Sequence, residues 1–462
     1  NHLDIYSLES ANASKGLDSQ TDFYVGRASF AQSLTELDFS KIIKNTGTIK
    51  WINIAFGTIL KYDEFKLREG EPASYEIGPL ALTGNKVPGS SGRPGISPED
   101  RTTKSRINSG TYFDIEADIN DKLFVSAATR YEYYNDFGGN LSGKLAALWK
   151  IFSNVSLRGS INRGFRAPSL QQIYNGQTTT NSQNGLIKLT KQLPANDPRL
   201  SEIGIPKPMP ELSWNYNLGL TGKAGENIFF SIDAYQIDVN NRIIISEILP
   251  VGPSIPTLQI VFPASTGIKE IAFFTNHIDT RTHGIDLVVN YKKNLSQSRK
   301  LSLNGAYTFN KTVINNEKAP PTALQNGALI PVRLIDTLSA GLIKTAQPRQ
   351  KLIGSVDYTT NKINLTLRVS YFGKVTAWEK LPGLPHRSQT FGGRTLTDLV
   401  GSYKLTSKLQ ITIGANNLLN VYPDKVNPNF ATYNNGQVPY SRSGLQFGFN
   451  GRYTYLSVQF RF

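Results

Sequence analysis

The chain contains no cysteine, one methionine and four histidines. It also lacks any unbroken run of about 18 apolar residues. Each absence closes a class. Without cysteine there is no disulfide scaffold, no Cys-ligated zinc or iron–sulfur centre and no thiol nucleophile. Without a long apolar run there is no transmembrane helix. Strand-built membrane proteins stay open, because their hydropathy signal is far weaker. Acidic residues are scarce beside basic ones, 35 against 50, giving a net charge of +15. The Lys and Arg are dispersed rather than gathered in a run or on a helix, which points away from nucleic acid. Aromatics at 10% and dispersed charge exclude a disordered chain. At 462 residues the chain exceeds the roughly 150 residues of a typical domain. No Pro- or Ser-rich linker divides it, so either one large domain over residues 1–462 or a repetitive architecture is expected. No G-x-S-x-G context, Walker loop or dinucleotide fingerprint occurs. The expectation is therefore a non-enzyme without cofactor or bound metal.

What is present is period-two alternation. Phe113, Ile115, Ala117 and Ile119 share one face, and Tyr112, Asp114, Glu116 and Asp118 the other. After the turn Asn120-Asp121, Leu123, Val125, Ala127, Thr129, Tyr131 and Tyr133 oppose Phe124, Ser126, Ala128, Arg130, Glu132 and Tyr134. This is a hairpin pattern, and it predicts Arg130 beside Tyr112 and near Asp114. Further strands read over 3–8, 23–43, 48–67, 139–151, 153–165, 211–222, 227–240, 277–293, 300–315, 350–360, 363–376, 394–405, 408–419 and 452–462. The count is about 16.

Short turns alternate with long Gly-, Pro-, Asn- and Ser-rich connections at 68–106, 166–210, 241–276, 316–349, 377–393 and 420–451, with 135–140 the one short member of that set. This arrangement places the long loops at one end of an up-and-down sheet, the layout of an outer-membrane barrel. Strands of about 10–20 residues exceed the 5–6 of a soluble sandwich and suit a tilted bilayer crossing. Irregular spacing argues against a propeller or β-helix. The fold expected is all-β, a transmembrane antiparallel up-and-down β-barrel. Its last strand alternates Thr454, Leu456, Val458, Phe460 and Phe462 against Tyr455, Ser457, Gln459 and Arg461, and ends on an aromatic residue.

The segment GFRAPSLQQ at 164–172 resembles the TonB-dependent outer-membrane receptors. So do REGEPASY at 68–75, YFDIEADINDKLFVSAATRYEYYNDFG at 112–138, FFTNHIDTRTHGIDLVVNY at 273–291 and TDLVGSYKLTSKLQITIGANNLLNVYPD at 397–424. The resemblance covers essentially residues 23–462. It implies import of a scarce solute across the outer membrane of a Gram-negative bacterium, with energy arriving through TonB. It also implies a 22-stranded barrel filled by a plug. No plug and no early strands are recognisable, so the expectation is a split or cleaved receptor whose plug and early strands form a separate polypeptide contacting TonB. The alternative is a self-contained 16-stranded passive channel. The terminal Phe462 matches the family's assembly signal, and its deletion is expected to reduce insertion.

With the apolar face toward lipid, Asp114, Glu116, Asp118, Arg130, Glu132, Lys144, Lys150, Arg158, Asp233 and Arg368 point inward, toward a plug, a solute or lumen water. The candidate solute or plug contacts are Arg130 and Arg158 on the wall, Arg166, Gln171, Gln172 and Tyr174 after it, Trp378, His386 and Arg387 in a later loop, and Tyr433 and Tyr440 in the last. Aromatics among scattered polar groups suit a bulky ligand. They equally suit an interfacial girdle, the reading favoured for Tyr422. His277, Asp279, Arg281 and His283 alternate like metal ligands. Their face continues as Ile285, Leu287, Val289 and Tyr291, which favours a position above the lipid band and a headgroup or structural role.

Overall fold

The computed structural model describes residues 2–47, 49–83, 86–183, 186–263, 268–379, 387–427, 439–441 and 444–461. Among them one sheet holds nineteen strands, antiparallel except for one short loop pairing. Three short ones, Gln177–Gln183, Leu186–Leu193 and Leu249–Pro250, belong to loops. The other sixteen make a wall in sequence order. They are β1 (His2–Ser7), β2 (Phe23–Thr46), β3 (Ile49–Glu69), β4 (Thr102–Asp118), β5 (Leu123–Tyr134), β6 (Gly138–Phe152), β7 (Val155–Arg166) and β8 (Glu211–Ala224). There follow β9 (Ile228–Ile245), β10 (Glu270–Ser296), β11 (Arg299–Glu317), β12 (Gln350–Thr360), β13 (Ile363–Phe372), β14 (Arg394–Lys404), β15 (Leu409–Asn416) and β16 (Tyr453–Phe460). Each pairs with its sequence neighbours, the up-and-down order expected. The long loops lie at one end and the short turns at the other, except the turn 135–137 between β5 and β6, which lies at the loop end. No helix among the described residues is long and apolar enough to cross a membrane.

The registers fix the two faces. Tyr112 pairs with Arg130, Ala128 with Lys144, Arg158 with Gly219 and Gly219 with Asp233, so these residues share one charged face. Phe113, Leu145, Leu218, Ile285, Leu352 and Ile413 stand on the opposite face, between 46% and 65% exposed. Large apolar side chains left bare along every part of a sheet need a non-aqueous surrounding.

Some boundaries moved. β4 begins at Thr102, inside the connection read as 68–106. The residues with the parity of Tyr112 at the start of β4 are Lys104, Arg106 and Asn108, and a stretch polar on both faces as far as Ile107 hides the alternation. β9 and β10 run on into 241–276, with register shifts around Asn240 and Asn241. The segment 377–393 adds a ribbon, Val375–Glu379 against Arg387–Phe391.

The dry core lies in the loops. Leu193, Leu200, Ile203, Leu249, Leu258, Phe262, Phe273, Leu324 and Leu334 are buried together. They come from three long connections and the top of β10. Leu186–Leu193 runs parallel to the start of β10, and Lys191 Nζ meets Asp100 Oδ1 at 2.7 Å. Asp197 pairs with Arg199 at 2.7 Å, and Arg199 lies 4.8 Å from the Phe262 ring centroid. Burial pushes the Asp197 carboxyl up, but the Arg199 hydrogen bonds outweigh it and hold the group below its ordinary value. The described parts of these three connections form a packed cap.

On the charged face glycine makes room for bridges across strands. Tyr112 Oη donates to Asp38 Oδ1 at 2.7 Å over Gly57 of β3. Arg158 donates to both Asp233 oxygens, at 2.9 and 2.5 Å, over Gly219 of β8. A Cβ at Gly219 would overlap the Asp233 carboxylate and come within 3.0 Å of Arg158 Nε. Gly219→Leu is expected to cost about 1–3 kcal/mol by forcing the pair apart. Gly159→Ala, whose added carbon meets nothing nearer than 3.7 Å, should change little. Urea titration of both variants checks this. Equal midpoints would show that the bridge does not depend on the glycine.

Candidate functional site

The strands β4 to β7 turn a continuous polar surface toward one cavity of about 750 Å³. Arg130, Glu132, Tyr112, Asp114, Lys144 and Asn162 line it. All stand at even positions on adjacent strands, so the pleat alone brings them together. Arg130 lies opposite Tyr112, as expected. Its Nε donates to Glu132 Oε1 at 2.9 Å, so its ion partner is Glu132 rather than Asp114. Lys144 makes no ion pair within reach among the described residues, and Asp114 none either. Opposite charges thus face one space with capacity left for another molecule.

Above this cavity stands Arg106, on β4 although the sequence pattern predicts a loop there. Arg106 is buried, with its side chain 4% exposed. Its Nε and Nη2 donate to Asp136 Oδ2 at 2.9 and 2.6 Å, and Nη1 donates to the Pro168 carbonyl at 2.7 Å. The guanidinium also lies 5.7 and 5.3 Å from the ring centroids of Tyr134 and Phe137. It ties β4 to the turn after β5 and to the start of 167–210. Carrying the even-position alternation upstream from Tyr112 through Asn108 would have found it.

The other candidates separate by role. Arg158 is on the charged face, held by Asp233 and Ser231. Arg166 makes a two-point pair with Glu211 at 2.9 and 2.6 Å, and Glu211 also accepts the Ile243 backbone N–H. Gln172 closes a capping box with Ser169 on the helix Leu170–Tyr174. Gln171, on the same helix, is exposed. Tyr174 packs against Phe65, Leu67, Ile96 and Leu170, and burial beside Asp136 raises its phenol above the ordinary value. Trp378 Nε1 donates to Thr345 Oγ1 at 3.2 Å, and its ring lies on Gly341. Arg387 is exposed and pairs in register with Glu379. Tyr440 stacks between Tyr422 and Phe449, with centroids 6.3 and 5.4 Å away. His386, Tyr433 and Phe462 lie outside the described residues.

The four alternating polar residues of β10 do not act as a set. Register shifts on both flanks break the alternation near Asp279. His277 is buried, 3.8 Å from Glu317 Oε1. Asp279 accepts from the Asn241 backbone and from Asn316 Nδ2. Arg281 pairs with Asp238 at 2.6 Å on the apolar side, where His283 is exposed. Among the described residues no group of three or more His, Asp or Glu is placed to hold a metal.

A sixteen-stranded antiparallel wall with one charged face, one apolar face and a loop cap at a single end is the architecture of an outer-membrane barrel. The family model "TonB dependent receptor-like, beta-barrel" matches residues 4–418, and the chain belongs to that family. No match is found among curated proteins. Solved structures share the fold. The siderophore receptor PirA from Acinetobacter baumannii is 13% identical with a TM-score of 0.62, covering 100% of this chain and 59% of its own. A mutant of the ferric enterobactin receptor PfeA from Pseudomonas aeruginosa gives 15%, 0.59, 94% and 54% in the same order. The FrpB iron transporter from Neisseria meningitidis gives 12%, 0.61, 96% and 56%. The chain therefore spans a little over half the length of the structures it matches.

Proposed function

We propose that this chain is the wall of an outer-membrane receptor that imports a scarce solute with energy delivered through TonB. The observation that carries the reading is the charged face that runs through the family-matched wall beneath loops gathered at one end. A hydrated lumen makes such charge cheap, whereas lipid does not. Solute would meet the cap and upper wall first, with Arg130 and its cavity on the route inward. The solved receptors of like fold include ferric enterobactin and siderophore receptors. They make iron chelates the first solutes to try.

A plug and further wall strands, contributed by residues outside these 462, complete the proposal. From Ala31 to Lys44, β2 pairs only with β3 among the described residues, because β1 reaches no further than Ser29 in the register. A strand edge of that length cannot face hydrocarbon, where each unpaired backbone group costs several kcal/mol. We assign the missing strands to a separate polypeptide. A denaturing gel of the purified complex, with mass spectrometry of each band, tests that assignment. The passive channel is the second reading, favoured by a wall of sixteen strands, the number found in porins.

Uptake separates the two. In cells limited for iron, deletion of the gene should abolish growth on the cognate chelate, and loss of TonB should do the same. Growth that survives loss of TonB, with steady conductance of the purified protein in a planar bilayer, would favour the channel.

A further inference from the structure

We infer that the loop end of β11–β13 carries a binding site for a small multivalent anion, a carboxylate or phosphate solute. The site is separate from the mixed-charge cavity around Arg130, and as a stage of import it rests on the transport reading. A cavity of about 440 Å³ opens on the charged face here. Its basic residues are Lys344, Arg349 and Lys351. Lys351 is on β12 and Arg349 just precedes it, and both share the face of Thr308 and Asn310 across the ladder. Lys344 arrives from the last turn of the loop helix Thr337–Lys344. The cations thus come from two places, the start of β12 and the loop helix, and line one space.

Among the described residues no carboxylate lines the site. No ion pair involves Lys344, Arg349 or Lys351 among the described residues, whereas Arg106, Arg158, Arg166, Arg281 and Arg394 each hold an acid. The nearest wall acid in register, Asp286, pairs with Thr308 from the opposite side of β11. Like charges gathered without a counter-charge repel one another, and an anion relieves that repulsion. Neutral donors complete the lining. Thr308 and Asn310 stand beside the cations. Gln446, only 7% exposed, donates its amide hydrogens to the carbonyls of Gly373 and Gly392, so it shapes the lining without donating to the site. Phe372 supplies an apolar wall and holds Lys351 Nζ 5.0 Å from its ring centroid. Such a lining suits a compact anion with a carbon frame better than a bare ion.

The test is calorimetric titration of the purified complex in detergent, keeping every polypeptide that co-purifies. The probes are citrate and pyrophosphate, with neutral xylitol as the size control. At least one of the two anions should bind, xylitol should not, and raising salt toward 1 M should weaken binding as screening shortens to about 3 Å. The double variant Arg349→Gln/Lys351→Gln should bind about tenfold more weakly. Lys362→Gln/Lys408→Gln removes the same charge at the short-turn end and should stay within about twofold, since a remote charge is screened. Lys344→Gln, outside the wall, gives the same readout if the double variant does not fold. Absence of binding by both anions overturns the inference, and so does equal weakening in the two double variants. Uptake is read separately. An anion that binds through these residues but is not imported leaves the site standing and counts against the transport reading.

Discussion

Arg106→Met should lower the unfolding free energy by about 3–5 kcal/mol, the cost of removing one partner from a buried ion pair. Methionine keeps the unbranched stem and its contact with Tyr134 and Phe137, so the loss falls on the charge. Asp136 would lose its cation at 2.6 Å, and the Pro168 carbonyl its donor at 2.7 Å. An unsatisfied buried acceptor alone costs about 1–3 kcal/mol. The fitting control is Arg101→Met. Arg101 meets Glu69 at 3.3 Å with its side chain 63% exposed, and exposed pairs contribute only about 0–1 kcal/mol. Urea titration in lipid vesicles measures both. Because Arg106 also fastens the start of 167–210, protease should cut that connection faster in the variant. A loss below about 1 kcal/mol would show that the surrounding aromatic rings hold the loop without the guanidinium.

The wall was legible because its two environments differ so strongly. Lipid admits almost no charge and the lumen admits any, so Phe113, Ile115 and Ala117 alternate cleanly with Asp114, Glu116 and Asp118. Above the apolar band both faces meet protein or water, and the contrast disappears. Lys104, Arg106 and Asn108 therefore gave no strand signal, although β4 carries them. The cap was illegible for a different reason. Leu193, Leu258, Phe262 and Leu324 lie far apart in sequence and on short elements, so no local period reports that they meet. The same holds for site residues. Arg158 and Asp233 were readable as inward-facing, but their pairing needed the register that sets Gly219 between them. Gln172, Tyr174 and Trp378 are candidate solute contacts by composition alone, and the contacts they make within the chain were not readable from it. In the fold their polar atoms and rings are used by a helix cap, a small core and Thr345.

Placing an arginine at Leu145 and at Ala146 should give opposite results from adjacent positions. Leu145 lies midway along β6, on the apolar face, opposite Ala127 and Ile161. It is 60% exposed with no protein over it, so in a bilayer its surroundings are hydrocarbon. Leu145→Arg is expected to cost about 2–4 kcal/mol there, the penalty of a lipid-facing arginine near the midplane. Ala146 points to the charged face, level with Ser126 and Ser160. An arginine at that site reaches lumen water beside Lys144 and should change stability by only about 0.5 kcal/mol, as surface substitutions do. Both variants keep the strand pairing, since β-strand side chains alternate without disturbing the ladder. The measurement is urea unfolding in vesicles of defined thickness. The reverse ranking would invert the two faces and move Arg130, Arg158 and the anion site to the lipid side. Tolerance at both positions would remove the sheet from the bilayer altogether.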